Sequence, residues 1–142
     1  GRHDPEKSHP LIDDLLAGKI SREEFLGFRA DAAELNAAAD LFVLPSLSEA
    51  MPLSIVEAMM IGTPVLARDV GDVGWLLADG RGTLFTREEE LPALLTKCIT
   101  DEQGRLTMAE RAQSFAKSTL TATRQKNQIL EFIDERIAAT KK

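Results

Sequence analysis

Short apolar runs that alternate with helix-like patterns constrain the fold of this 142-residue chain more than any other feature. The runs are Leu41–Leu44, Thr63–Ala67 and Gly80–Phe85, the last of which begins with a turn. A continuous apolar run is typical of a strand that is buried on both faces of a parallel sheet. Strands that alternate with helices predict βαβ units, so the sequence indicates an α/β fold.

The remaining elements follow from helical spacing and from punctuating Gly and Pro residues. Residues 1–10 predict a loop, and Glu24–Phe28 predicts a further strand. In the helix Ala32–Ala39, Asp31 and Glu34 have the spacing of a capping box. The other predicted helices are Pro10–Ala17, Pro52–Ile61, Glu88–Thr100 with Leu91, Leu94, Leu95 and Cys98 on one face, and about 105–117 and 121–139.

Composition argues against several classes of protein. The net charge of −6 argues against a nucleic-acid binder. No apolar stretch approaches the roughly 20 residues that span a bilayer. The single Cys98 excludes an internal disulfide and suits a reducing compartment. Because the chain begins with Gly1 rather than Met, we expect it to be a piece of a longer protein.

The segment that follows Leu44 predicts an anion site. In parallel sheets, ligands bind beyond the carboxyl ends of the strands. Pro52 suits the first turn of a helix, and the amides of Leu53 and Ser54 would then be unpaired. Unpaired amides and the helix dipole together favour a phosphate or another anion.

Two glutamates bracket this helix start. Glu49 lies in the preceding loop, and Glu57 lies about one and a half turns into the helix. The neighbours of Glu57 are nearly all apolar, and a helix that is apolar all round is normally buried. A buried carboxylate must be paired or face a polar pocket. A solvated edge position for Glu57 is the equally weighted alternative.

The same segment resembles the retaining glycosyltransferases of the two-Rossmann-domain type (GT-B), especially family 4. Glu49, seven residues and Glu57 resemble the E-x7-E motif of that family. Further resemblances run in the family's order from about Phe25 to Phe85, at Ala38–Ser46, Glu49–Met59, Gly62–Ala67, Asp69–Asp72 and Asp79–Gly80. Departures are Ala50 and Asp72, where glycine is frequent, and Trp75, near a frequent glutamate. We expect Trp75 to be a packing residue rather than a stacking platform.

The resemblance implies the nucleotide-sugar-binding, C-terminal Rossmann-like half of a GT-B fold. It implies that Glu49 contacts the donor sugar near the reacting carbon, as the catalytic residue, and that Glu57 accepts hydrogen bonds from the ribose hydroxyls. The donor would also be bound by the backbone of Ala50, Met51, Pro52, Leu53 and Ser54. The implied reaction is sugar transfer with retention at the anomeric carbon, without a metal or cofactor. The acceptor would be a sugar, a lipid-linked molecule or a small molecule, and the enzyme cytoplasmic or peripheral to the membrane.

The N-terminal residues admit two readings. Gly1–Lys7 resembles the family's phosphate-binding pattern, so Arg2 and Lys7 are candidate donor-binding residues. The spacing to Phe25 favours a different placement, in the loop after the second strand. Either way, early strands and the preceding acceptor-binding domain would be lacking, so we expect a partial domain that is inactive alone. Its predicted parts are the loop 1–10, the α/β core 11–100 and the C-terminal helices 101–142.

Other functions remain open at this point. A catalytically silent nucleotide-binding module of the same fold is the main alternative, and the presence of both Glu49 and Glu57 favours the enzyme. A sugar-nucleotide epimerase shares the double-Rossmann architecture, but the loop that leads directly into Glu57 favours the transferase. A metal site at His3 and His9 has no second cluster with ligand spacing.

Overall fold

The computed structural model describes residues 29–124, 126, 130 and 131. Its elements, in chain order, are α1 (Ala32–Ala37), β1 (Phe42–Leu44), α2 (Leu53–Ile61), β2 (Val65–Arg68), α3 (Val73–Leu77), β3 (Thr83–Phe85), a 3-10 turn (Glu88–Glu90), α4 (Leu91–Thr100) and α5 (Glu102–Thr119). The predictions for residues 1–28 lie outside the described residues, including the expected lack of early strands and the candidates Arg2, Lys7, His3 and His9. Of the predicted helix 121–139, the described residues 122–124, 126, 130 and 131 are helical.

The three described strands form a parallel sheet in the order β1-β2-β3. Leu44 pairs with Ala67, and Arg68 pairs with Phe85, so the carboxyl ends of all three strands meet at one edge of the sheet. This confirms the α/β fold with a parallel sheet and fixes the edge at which a ligand is expected.

Helix α2 is the centre of the core. Ile55, Ala58 and Met59 are fully buried and belong to the same apolar cluster as residues of β2 and α5. The helix ends at Gly62, whose φ of 92° is left-handed. The side-chain amide of Gln113 donates to the carbonyl oxygens of Met60 and Ile61 at 3.1 and 3.0 Å, which satisfies two of the last carbonyls of α2. The helix is therefore fixed at its buried face and at its C-terminal end.

Two predictions near the start of the described region are wrong. The side chain of Asp31 caps no amide of α1. Its carboxylate instead accepts from the guanidinium of Arg29, with Nε and Oδ1 2.7 Å apart, so the predicted capping box with Glu34 does not form. Strand β1 is half-buried rather than buried on both faces. In the described part of the sheet β1 lies at an edge, because only β2 pairs with it there.

Helix α3 is not among the predicted elements, because its five residues, with Gly74 among them, show no helical period. Its C-terminal end is stabilised from outside the helix by Arg81, which donates to the carbonyl oxygens of Leu76 and Trp75 at 2.9 and 2.7 Å. The Arg81 guanidinium also lies 3.9 Å from the centroid of the Phe115 ring. Tertiary contacts of Arg81 therefore stabilise a helix that the local sequence pattern does not indicate.

Smaller differences concern boundaries and one helix face. Helix α1 ends at Ala37, and α5 begins at Glu102. The predicted helix Glu88–Thr100 is divided into the 3-10 turn and α4. On its predicted apolar face only Cys98 is buried, whereas Leu91, Leu94 and Leu95 are half-buried.

Candidate functional site

The loop after β1 connects the carboxyl end of that strand to the start of α2, at the carboxyl edge of the sheet. Pro52 is the residue before the helix rather than its first residue, and its extended ψ of 114° turns the chain into α2. Its carbonyl oxygen accepts from the amides of Ile55 and Val56 at 3.2 and 3.4 Å. The amides of Leu53 and Ser54 donate to no described residue. Two backbone donors at a helix N-terminus are thus available to an anion.

Glu57 lies on the solvated face of α2. Its side chain is exposed and has no partner among the described residues, so the solvated position is the one the structure shows. The expectation that α2 is buried all round is wrong, because Leu53 is 72% exposed. Positions four residues apart lie on one face of a helix, so Glu57 follows Leu53 along the exposed face. An acceptor-only carboxylate therefore stands one turn beyond the two unpaired amides.

Glu49 lies in the loop before α2 and is half-buried. The backbone next to it is held by the loop that follows β2: the amide of Asp72 donates to the carbonyl oxygen of Ala50 at 2.8 Å. Gly71 packs against the same stretch, with a left-handed φ of 54°. Two loops from neighbouring strands thus meet at Glu49 and Ala50.

The ends of β2 and β3 are tied together at the same edge. Arg68 donates from Nη1 to the carbonyl oxygen of Thr86 at 3.0 Å, and its guanidinium lies 5.0 Å from the centroid of the Phe85 ring. The amide of Asp69 donates to the carbonyl oxygen of Phe85 at 2.9 Å. Arg68 is not among the residues predicted from sequence, although a charged residue at the end of a buried apolar run was a usable signal.

The backbone amides that directly follow β3 already bind a carboxylate of the same protein. Glu90 accepts through Oε2 from the amides of Thr86 and Arg87 at 3.0 and 3.3 Å. The Thr86 amide and then the Arg87 side chain hold the pKa of the Glu90 carboxyl below its usual value. This chain therefore shows backbone donors at the edge binding a carboxylate, while those at α2 remain open.

Several motif residues lie away from this edge. Asp79 and Gly80 form the turn before the amino end of β3, where Asp79 accepts from Arg81 at 3.0 Å. Trp75 packs edge-to-face on Phe115 with the ring centroids 5.5 Å apart, and 52% of its surface stays exposed. Two cavities of about 220 and 450 Å³ lie beside Cys98 and along α5. Neither cavity is lined by the loop before α2 or by α2 itself.

The described part of the chain shows neither a metal-binding cluster nor a membrane-spanning helix. No cluster of three metal-binding side chains (His, Cys, Asp or Glu) occurs among the described residues. Within the same residues, no helix combines the length and the apolar character that crossing a membrane requires.

Comparison with known proteins gives a consistent result. A profile of the family described as glycosyl transferases group 1 matches residues 1–101. The lipopolysaccharide glucosyltransferase WaaG of Escherichia coli K12 is 34% identical over 120 residues, which cover 82% of this chain and 32% of the relative. A D-inositol 3-phosphate glycosyltransferase of Stackebrandtia nassauensis is 34% identical over 82% of this chain and 27% of its own length. The chain thus spans about a third of the curated relatives that it matches.

Solved structures extend the similarity to three dimensions. The Anabaena protein HepE, in complex with UDP-glucose, superposes with a TM-score of 0.76 at 34% identity, over 89% of this chain and 36% of HepE. Sucrose-phosphate synthase of Thermosynechococcus elongatus superposes with a TM-score of 0.73 at 20% identity, over 98% of this chain and 38% of that protein, which shows the fold alone.

Proposed function

Because the chain belongs to the family of glycosyl transferases group 1, we propose that it forms the donor-binding part of an enzyme that transfers sugar from a nucleotide sugar with retention of anomeric configuration. The fold is the C-terminal Rossmann-like half of a GT-B architecture. The acceptor site would lie on a preceding domain, and the acceptor is a sugar, a lipid-linked molecule or a small molecule. The single free thiol of Cys98 suits the reducing cytoplasm, where we place the enzyme, or the membrane surface that faces it.

The arrangement at the start of α2 carries this proposal. The amides of Leu53 and Ser54 have no hydrogen bond to a described residue, and Glu57 stands exposed one turn further along the same face. A diphosphate at the amides would bring the ribose attached to it toward a carboxylate that needs donors. HepE, a relative with the same fold, is seen in complex with UDP-glucose, so we take UDP-sugars as the first donor class to test.

The chemistry follows from where charge develops. The bond between the anomeric carbon and the diphosphate oxygen breaks, the sugar gains oxocarbenium character, and the diphosphate gains negative charge. The acceptor hydroxyl forms the new bond on the same face and gives its proton to the leaving diphosphate. Fixed amides at Leu53 and Ser54 would stabilise that leaving group. Glu49 would hold the sugar in a reactive position and stabilise positive charge at its ring. Backbone contacts from Ala50, Met51 and Pro52 to the sugar belong to the same proposal.

The test uses the full-length protein that contains this chain, with UDP-glucose, GDP-glucose and ADP-glucose as probes. Binding is measured by calorimetry, and slow release of glucose to water is followed by NMR, which identifies the first anomer formed. We expect one donor class to bind and to release the α anomer from an α-linked donor. Glu49→Gln should reduce release about 100-fold, whereas Glu110→Gln, an exposed residue on α5, should leave release unchanged.

The silent binding module predicts a different outcome in the same experiment. It would bind a nucleotide sugar without releasing glucose, and Glu49→Gln would change nothing. If the β anomer is the first product released, retention is refuted, but the proposed transferase activity is not. Since Arg2 and Lys7 lie outside the described residues, their part in binding the diphosphate stays a prediction, which Arg2→Ala and Lys7→Ala test in the same calorimetry.

A further inference from the structure

We propose that Gly71, in the loop after β2, is a positioning residue that sets the place of Glu49. The proposal rests on the proposed function in one respect, namely the contact of Glu49 with the donor sugar. It adds a residue from a different loop, whose role is to keep the Glu49 backbone where the sugar requires it.

The loop that carries Glu49 receives little backbone hydrogen bonding from the part of the chain that the structure describes. Between the end of β1 and Pro52, its backbone accepts a single hydrogen bond from the described residues, from the amide of Asp72 to the carbonyl oxygen of Ala50 at 2.8 Å. The place of Glu49 therefore depends on the loop Val70–Asp72, which packs against it.

Gly71 makes this contact possible by having no side chain. A Cβ on Gly71 would lie 2.2 Å from the carbonyl oxygen of Glu49 and 2.6 Å from that of Ala50, whereas real Cβ atoms stay beyond 3.0 Å. Its φ of 54° is also a conformation that L side chains rarely adopt. Any substituent must therefore move the two loops apart by about 1 Å.

Such a movement would act on Glu49 and Ala50, which face the sugar, and leave in place the groups proposed to hold the nucleotide. Glu57 and the amides of Leu53 and Ser54 belong to α2, which is fixed by the buried Ile55 and Met59. Because a displacement of about 1 Å at a reacting group can cost about 100-fold in rate, turnover should fall by that order. Binding of the nucleotide should remain, because the groups proposed to hold it do not move.

A purely structural role for Gly71 is the competing explanation, and Gly62 provides the matched control. Gly62 is also left-handed, with a φ of 92°, so a Cβ there is strained as well. The nearest atom it would meet is Nε2 of Gln113 at 3.0 Å, the far end of a side chain. Gly62→Ala therefore introduces comparable backbone strain without touching the Glu49 loop.

The experiment compares Gly71→Ala, Gly62→Ala and Glu49→Gln in the full-length protein. The measurements are the Kd for UDP, the kcat for glucose release from UDP-glucose, and the melting temperature, with kinetics recorded well below the lowest melting temperature. We expect Gly71→Ala to lower kcat about 100-fold with Kd for UDP within about threefold of the native value. Gly62→Ala should keep the native kcat despite a lower melting temperature.

The outcomes separate the two proposals. If Glu49→Gln abolishes release while Gly71→Ala keeps the native kcat, the positioning role is wrong and the proposed function stands. If Gly62→Ala loses as much kcat as Gly71→Ala, the effect is general strain and the positioning role is again wrong. If Glu49→Gln is fully active, the proposed role of Glu49 itself fails.

Should Gly71→Ala not fold, Asp72→Pro takes its place. The φ of Asp72 is −85°, which is close to the value that proline imposes. The change deletes the amide that donates to Ala50, the only one to do so among the described residues, without adding a Cβ at Gly71. We expect a loss in kcat of about 10-fold with UDP binding retained. An unchanged kcat in this variant would overturn the proposal.

Discussion

Replacing Leu53 by proline removes one backbone N–H from the candidate anion site with almost no other change. Position 53 is the first residue of α2, where proline is favoured, and the extended ψ of Pro52 is what a residue before proline adopts. The Leu53 amide bonds to no described residue, and the side chain is 72% exposed. The free energy of unfolding should therefore stay constant or rise by about 0.4–1 kcal/mol, because proline restricts the unfolded chain.

The affinity of the same Leu53→Pro variant for UDP should fall. A hydrogen bond from an amide to a phosphate oxygen is charge-assisted and contributes about 1.5–3 kcal/mol, so the Kd for UDP should rise roughly 10- to 150-fold. Leu53→Ala is the matched control, because it shortens the same side chain but keeps the N–H. Calorimetric titration of the full-length protein with UDP measures both variants. Equal affinity in Leu53→Pro and Leu53→Ala, with the proline variant folded, would refute the role of the Leu53 amide.

Three further predictions address the site and its support. Glu57→Ala should raise the Kd for UDP roughly 30- to 150-fold by removing the acceptor for the ribose hydroxyls, about 2–3 kcal/mol. Because Glu57 is exposed, the melting temperature of the Glu57→Ala variant should equal that of the native protein. The control Glu110→Ala should change neither the Kd for UDP nor the melting temperature. Arg81→Met should lower the free energy of unfolding by about 2–4 kcal/mol in urea titrations, since the carbonyls of Leu76 and Trp75 lose their donor; a loss below about 0.5 kcal/mol would contradict this. The pKa of Glu90 is lowered by the Thr86 amide and by Arg87, so native protein should exceed Glu90→Gln in stability at neutral pH. That difference should vanish as the pH falls from about 4.3 through the depressed pKa, and a difference that persists in acid would exclude the proposed cause.

The α/β fold was predictable because its signal is local. Apolar runs and glycine or proline boundaries located β2, β3 and α2 to within two or three residues. Features that depend on distant partners were not predictable. Helix α3 is stabilised by Arg81, and Arg81 in turn packs on Phe115, more than thirty residues further along the chain. Asp31 had two available partners, and the neighbouring Arg29 bound it in place of the α1 amides.

In the candidate site, too, the features that depend on distant partners could not be predicted from the sequence. Sequence spacing placed Glu49 in the loop, Glu57 on the helix and the open amides at its start. It could not decide whether Glu57 is buried, because that depends on which face of α2 meets β2 and α5. It also could not connect Gly71 with Glu49, since the two loops meet only after both strands have paired in register.

The central claim is that a nucleotide sugar binds at the start of α2, at the carboxyl edge of the sheet. A crystal structure of the full-length protein with UDP-glucose tests it most directly. We expect diphosphate oxygens about 3 Å from the amide nitrogens of Leu53 and Ser54, with the ribose hydroxyls hydrogen-bonded to Glu57 and the glucose next to Glu49. A diphosphate bound away from α2, for example in the cavity beside Cys98, would contradict it.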